Sequence, residues 1–424
     1  MNLNPVGWAS SSLRIVARLF NSGVNSTTPV TAISEAPIGV ANADIALVAK
    51  GTGATLAQVP DGTATGGNKR GTGATDWQKN RNTAANVASG VEAVIAGGSV
   101  NTASGQQSVV GGGFSNSASG ISSTIGGGAT NTTVGSYATV AGGSTNSSGG
   151  VYATIGGGYN HIGNGNYSFI GGGHSNIASN TYSFVGGGQS NTAQTNTHAT
   201  VCGGSTNTAS GQYAFVGGGN TNTASGIYSG ITGGSSNIAF GSNSFVGGGD
   251  NNRANGTSSC ISGGANGTAR LIVGYHVFPA CSAPIATTQG CTQSALLLLA
   301  RETTNATATV LTSNGGGGST TNQVILPNNS AYSFSGEVIA GVTGAGDTAR
   351  WTINGAIKRG ANAASTAMVG TATVTMTHND AGATAWTVAV TADTTNGGIA
   401  VTVTGAAATT IRWVCKINTT EMTY

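Results

Sequence analysis

Side chains able to do acid–base, metal or nucleophilic chemistry are few and scattered in this chain of 424 residues. Glycoside hydrolysis needs two carboxylates about 5 to 10 Å apart. The Gly-rich middle of the chain offers Asp250 alone, and the C-terminal part carries Glu302, Glu337, Asp347, Asp380 and Asp393 at spacings that define no pair. The histidines, His161, His174, His198, His276 and His378, never approach metal-ligand spacing; His276 is the one that a threefold axis would turn into an ion site. The cysteines (Cys202, Cys260, Cys281, Cys291 and Cys415) are odd in number. Cys281 and Cys291 either close a small loop or remain thiols in a reducing cytoplasm. Cys202 and Cys260 stand where equivalent positions hold Gly, Thr or Phe, which points to packing. The recurrent Gly-Gly-Gly is followed by neither Lys-Ser/Thr nor a helix, so it is no phosphate loop. These residues predict no enzyme, no metal and no cofactor.

The elements that carry them are set by an internal repeat. A Val or Ile recurs at Ile95, Val110, Ile125, Val140, Ile155, Ile170, Val185, Val201, Val216, Ile231, Val246 and Ile261, always fifteen residues apart except for sixteen between Val185 and Val201. Gly-Gly follows two residues later, Asn comes at the sixth position in ten of the twelve copies (His161 and Gly267 depart), and Gly is usual at the tenth. Fifteen residues suffice for two short strands and two tight turns, and glycine at both corners is expected to supply positive φ. Twelve parallel coils about 4.8 Å apart would make a rod roughly 55 to 60 Å long. The extra residue near Gln194-Thr195-Asn196 reads as a bulge. Such strict phase argues against a disordered low-complexity linker.

Composition agrees with this division. Of fifteen Lys or Arg and twelve Asp or Glu, only Asp250 and Arg253 fall between Ile95 and Ile261, and a net charge of +3 predicts no nucleic-acid partner. No apolar run is long enough for a membrane span. Arg14 and Arg18 interrupt the N-terminal stretch where a secretory peptide would be apolar, so export by that route is not expected. The many Asn-x-Ser/Thr triplets then read as by-products of the Asn positions.

Alternation along the first strand puts Val/Ile and the small residue two before it inside. Tyr137, Tyr152, Tyr167, Tyr182, Tyr213 and Tyr228, with Phe169, Phe184, Phe215 and Phe245, are expected outside. An exposed aromatic stripe is an association liability unless covered. It predicts a homotrimer interface, the alternative being a ligand platform.

The pattern Ser183-Phe184-Val185-Gly186 with Asn222-Thr223-Ala224-Ser225-Gly226 resembles the head repeats of trimeric autotransporter adhesins, left-handed parallel β-rolls that also occur in bacteriophage tail fibres. The resemblance covers residues 91–269. GTATGGNKRGTGATDWQKNR (62–81) and WTINGAIKRGANAA (351–364) look like phage tail-fibre sequence, and no signal peptide, coiled-coil stalk or membrane barrel is expected. The resemblance implies a receptor-binding protein of the virion, assembled in the host cytoplasm. Its partners would be a tail or baseplate protein at the N-terminus and a host surface glycan or protein at the C-terminus. The alternatives are a polysaccharide-degrading tailspike and a trimeric adhesin.

The expected fold is all-β, with four regions. Residues 1–90 attach to the virion, with Trp8, Ile15, Val16 and Leu19 as an apolar docking set or a local core. Residues 91–269 form the β-roll, and 270–294 cap its open end. Residues 295–424 alternate as about eight strands, a β-sandwich or jelly-roll tip. There Trp351, Trp386 and Trp413 share faces with aliphatic residues and read as core. Arg350, Asn354, Lys358, Arg359, Arg412 and Lys416 face outward and are the candidate receptor contacts.

Overall fold

The computed structural model describes residues 56–279, 288–344 and 346–424, together with the backbone of residues 18–20, 30–32 and 55. The chain is all-β, built on a parallel β-solenoid, and it divides into two compact units, Met1–Ser175 and Asn176–Tyr424.

In the first unit, Arg18–Phe20 and Val30–Ala32 form a short antiparallel ribbon. The coils follow, each contributing one strand to a parallel ladder. The strands are Thr55–Leu56, Thr75–Asp76, Val94–Ile95, Val109–Val110, Thr124–Ile125, Thr139–Val140, Thr154–Ile155 and Phe169–Ile170. Each Val or Ile lies opposite the one a coil away, as Val140 opposes Ile155. A second two-residue strand per coil, from Thr102–Ala103 to Ile162–Gly163, stacks in the same way. Ile95, Val110, Ile125, Val140, Ile155 and Ile170 are all fully buried, each worth about 1.5–3 kcal/mol of transfer free energy.

The first two coils lie ahead of the twelve read from the repeat. Their strands are twenty and nineteen residues from the next, and one inward position is held by Asp76 rather than an aliphatic residue. That charge is carried inside by two arginines. Arg70 Nε and Arg81 Nη2 donate to Asp76 Oδ2 at 2.8 and 3.1 Å, with all three side chains fully buried. Burial pulls the Arg70 guanidinium below its ordinary pKa, and Asp76 opposes this.

Within the coils the recurring Asn is a buried amide ladder. Asn101 Oδ1 accepts the Asn116 N–H at 2.9 Å, while its Nδ2 donates to the carbonyls of Gly97 and Gly113 at 3.1 and 3.0 Å. The ladder starts on Gln78, whose amide accepts the Asn101 N–H and donates to the Asn101 carbonyl, both at 2.8 Å.

The two corners differ from expectation. Positive φ at the turn leading into each Val or Ile strand falls on non-glycine residues: Gln107 (φ 56°), Tyr137 (59°) and Tyr152 (57°). Gly120, at that turn, has no positive φ; a Cβ there would penetrate the carbonyl of Gly135 on the next coil. Glycine is needed here for close stacking, and only the last glycine of each triplet, such as Gly113 (φ 85°), combines positive φ with such a clash.

The second unit holds six more coils, with strands Phe184–Val185, Thr200–Val201, Phe215–Val216, Gly230–Ile231, Phe245–Val246 and Cys260–Ile261, making fourteen among the described residues. The sixteen-residue coil keeps its register on both sides, Val185 opposing Val201 and Thr192 opposing Thr208. Its extra residue is absorbed in a turn, where Thr195 takes φ 74° and the Asn196 N–H bonds the Gln194 carbonyl at 2.9 Å; it is not a strand bulge.

The roll then changes direction. His276–Pro279 pairs in parallel with Cys260–Ile261 and antiparallel with Thr292–Thr303. Ile411–Thr423, Ser330–Val342, Thr348–Arg359 and Thr373–Asn379 extend this antiparallel sheet in that order. A smaller sheet joins Gly398–Thr404 to Thr387–Asp393, Thr309–Val310 and Val324–Ile325. Leu297, Leu299, Val338, Trp351, Ile353, Trp413 and Cys415 of the large sheet are buried, as are Trp386, Val401 and Val403. Trp413 lies 5.6 Å from Trp351 and 5.8 Å from Trp386 by ring centroids, and its Nε1 donates to Thr303 Oγ1 at 2.9 Å. These tryptophans are core, as their spacing predicts.

Candidate functional site

Three groups of residues carry the functional argument: the rows of aromatics on the coils, the outward face of the large sheet, and a buried polar cluster under that sheet.

The tyrosines form stacks whose spacing matches the coil rise. In the first unit Tyr137–Tyr152 and Tyr152–Tyr167 have ring centroids 4.7 and 5.3 Å apart, with planes within 10°. In the second unit Tyr182, His198, Tyr213 and Tyr228 stack at 4.8, 4.7 and 4.9 Å. All six tyrosines are exposed, and so are Phe169, Phe184, Phe215 and Phe245. The expectation of an outward aromatic stripe holds, but its cause differs. The phenylalanines sit on a strand, whereas the tyrosines occupy left-handed turn positions such as Tyr213 (φ 57°) and Tyr228 (φ 56°). Parity along a strand therefore fits only the phenylalanines. His198 completes a tyrosine stack and went unread because it interrupts the residue type, not the period. A further row was also missed: Phe114 and Tyr159 are exposed four residues after the Val/Ile, and Tyr159 stacks on His174 at 5.2 Å.

On the large sheet, Arg350 donates to Glu337 at 2.7 Å and Arg412 to Glu302 at 3.0 Å, both in exposed pairs. Two of the six candidate contacts thus already have partners, in pairs worth about 0–1 kcal/mol at a wet surface. Lys416 is exposed opposite Glu337, and Asn354 is exposed opposite Ser335. Lys358 is exposed, while Arg359 is drawn back, its Nη1 donating to the Leu326 carbonyl at 2.6 Å. Leu298, Ile339 and Val414 share this outer face and are exposed. Beside Asn418 and Ser335, a pocket of about 280 Å³ opens against Phe278, Ser294 and Thr420. Trp8, Ile15 and Val16 lie outside the described residues, and of Leu19 only the strand backbone is described. Cys281 also lies outside them. Cys202 is exposed rather than packed, and burial pushes the Cys415 thiol up to about 12.

The buried cluster binds the sheet to the last coil. Glu421 accepts from Arg270 Nη1 and from the Tyr275 hydroxyl, and from Gln293 Nε2 at 2.8 Å. Gln293 also accepts the Thr268 N–H and donates to the Thr268 carbonyl, both at 3.0 Å, covering backbone that a further coil would have paired. Burial works against the Arg270 charge, but Glu421, together with Tyr332 and Tyr275 beside it, outweighs burial and the guanidinium pKa is raised. Burial, and then the Glu421 charge, push the phenols of Tyr275 and Tyr332 well above the ordinary tyrosine value. No group of three or more His, Cys, Asp or Glu able to hold a metal occurs among the described residues.

No protein-family model matches this chain, and no curated protein matches it. Among solved structures it is similar to the tailspike protein of Acinetobacter phage vB_ApiP_P1, at 10% identity and a TM-score of 0.23, over 88% of this chain and 80% of that one. It is also similar to the tailspike protein of Acinetobacter baumannii phage AM24, at 12% identity and a TM-score of 0.19, over 84% of this chain and 62% of the other.

Proposed function

We propose that the chain is a receptor-binding protein of a bacteriophage tail, a fibre whose coils associate as a homotrimer and whose C-terminal sheets contact a host surface glycan or protein. The observation that carries the first half is the aromatic stacking. Rings exposed at about the coil repeat, 4.7 to 5.3 Å, offer a regular apolar surface. A partner with the same period, which another copy of this roll provides, covers it row for row. The second half is supported by the capped end of the roll. Beyond Gln293 no further coil can add, and the sheet that follows turns Asn354, Lys358 and Lys416 to solvent. Three copies make weak sites collectively strong. Residues ahead of the coils are left to hold a tail or baseplate protein.

The test is adsorption of the labelled full-length chain to a panel of bacterial strains, with Asn354, Lys358 and Lys416 replaced together by alanine. Adsorption to at least one strain that is lost in the triple variant supports the reading; adsorption to none refutes it, and undiminished adsorption moves recognition off this face. One observation favours a hydrolytic tailspike as the second reading. Asp347 and Asp380, unpaired by sequence, come to one end of the sheet, Asp380 accepting the Thr348 N–H at 2.9 Å and Asp347 the Gly382 N–H at 3.3 Å. Two neighbouring carboxylates are the minimum for glycoside hydrolysis. Release of reducing ends from host polysaccharide that is abolished by Asp347→Asn or Asp380→Asn would establish it.

A further inference from the structure

We infer that a cleft in the second unit, where the last coils meet the C-terminal sheets, binds an anionic saccharide substituent, a carboxylate or a phosphate. This rests on the receptor-binding reading and names its ligand class. The cleft measures about 590 Å³ and its walls include Arg253, Arg270 and Arg359 but no Asp or Glu. In a chain with only 6% charged residues, three arginines lining one cleft with no acidic residue among them are a local concentration of basic side chains.

The three are not equivalent. Arg270 is committed to Glu421 and to the Gly290 carbonyl, with its guanidinium 5.6 Å from the Tyr332 ring centroid, so it supplies a rigid wall and little net charge. Arg359 is half committed. Its Nη1 holds the Leu326 carbonyl at 2.6 Å, and its buried Nε–H has no acceptor among the described residues. Arg253 stands on the strand Arg253–Ala254, is exposed, and its guanidinium has no partner among the described residues. One free guanidinium and one already positioned by backbone suit a two-oxygen anion, because the fork of donors matches carboxylate and phosphate geometry. Anchoring Arg359 beforehand also reduces the side-chain entropy lost on binding.

The remaining lining fits a sugar rather than a bare ion. Asn255 uses Oδ1 on the Leu271 N–H and keeps its Nδ2 donors, and Gln289 uses Nε2 on Asn251 and keeps its Oε1 acceptor. Thr320 and Thr321 add hydroxyls, and exposed Leu271 gives an apolar contact for a ring face. No aromatic side chain lines the cleft, so it lacks the stacking platform that single-stranded nucleic acid uses.

The test is calorimetric titration of the full-length chain with tri-glucuronic acid, its carboxyl-reduced trisaccharide and a glycerol-phosphate trimer. Binding to an acidic probe is expected, to weaken about tenfold or more in Arg253→Gln, to be partly kept in Arg253→Lys, and to fall with added salt. Preference for tri-glucuronic acid identifies a carboxylate ligand, and preference for the glycerol-phosphate trimer a phosphate. Failure of both acids to bind at millimolar concentration, equal binding of the reduced trisaccharide, or undiminished binding by Arg253→Gln overturns the proposal. Adsorption to bacteria separates this claim from the one beneath it. A chain that adsorbs to cells but ignores both acids loses the cleft and keeps the receptor reading; one that binds an acid but adsorbs to no cell keeps the cleft and loses the receptor reading.

Discussion

Replacing Asn222 by alanine tests the amide ladder where its bonds can be counted. Asn222 Nδ2 donates to the carbonyls of Gly218 and Gly234, and Oδ1 accepts the Asn237 N–H, all at 2.9 Å. Gly234 retains a second donor, the Asn220 N–H at 2.9 Å, so its carbonyl stays satisfied. Asn237, fully buried, loses the acceptor of its N–H. An orphaned buried donor costs about 1–3 kcal/mol, and the lost Gly218 bond adds about 1 kcal/mol, giving a penalty of about 3 kcal/mol concentrated in two coils. At about 1.4 kcal/mol per factor of ten, amide exchange through local opening should accelerate about a hundredfold. Hydrogen exchange by mass spectrometry over residues 230–240, against a distant peptide over 411–423, reads this directly. Asn222→Asp should be no better, because its carboxylate keeps the acceptor but faces two carbonyls. Exchange within threefold of the parent in Asn222→Ala would refute the reasoning and leave the ladder a by-product of coil packing.

Gly120→Ala should destabilise the first unit by about 3 kcal/mol, because its Cβ meets backbone that cannot move aside, whereas Gly127→Ala, open on all sides, should stay within about 0.5 kcal/mol; paired thermal melts check this, and equal effects would contradict it. Glu421→Gln strands the Arg270 charge and should cost the second unit about 3–5 kcal/mol in denaturant unfolding. The phenols of Tyr275 and Tyr332 are raised in the folded state, so their contribution is full below the unfolded tyrosine value of about 10 and declines as pH rises through the folded values. Melting of the second unit should fall above that pH, with a tyrosinate absorbance step at unfolding that shrinks in Tyr332→Phe; an unchanged step would contradict the burial.

Most of the roll was legible because a solenoid repeats its physics. Every coil needs the same buried Val or Ile and the same amide, so the period exposes Ile95 through Ile261 without any tertiary information. The coils that carry Leu56 and Asp76 were not legible, because their loops are longer and Asp76 enters the core only with Arg70 and Arg81 beside it. The turn tyrosines were placed outside for the wrong reason, since Tyr137 occupies a left-handed turn position ahead of the strand Thr139–Val140, where strand parity does not apply. On the sheets, alternation gave the buried faces of Trp351 and Trp413. It could not show that Arg350 and Arg412 find Glu337 and Glu302 across strands, or that Arg359 turns back to Leu326. Those partners depend on register over long sequence separations. Arg253, the only Lys or Arg between Ile95 and Ile261, was the signal available for the cleft, but its meaning depends on Arg359 arriving from more than a hundred residues away.

The association of the coils through their aromatic rows is tested most directly by the solution mass of the full-length chain, measured by light scattering at micromolar concentration. The account predicts a single species of three chains that persists on dilution. A single-chain mass would leave Tyr137, Tyr152, Tyr213 and Tyr228 exposed in solution and contradict it.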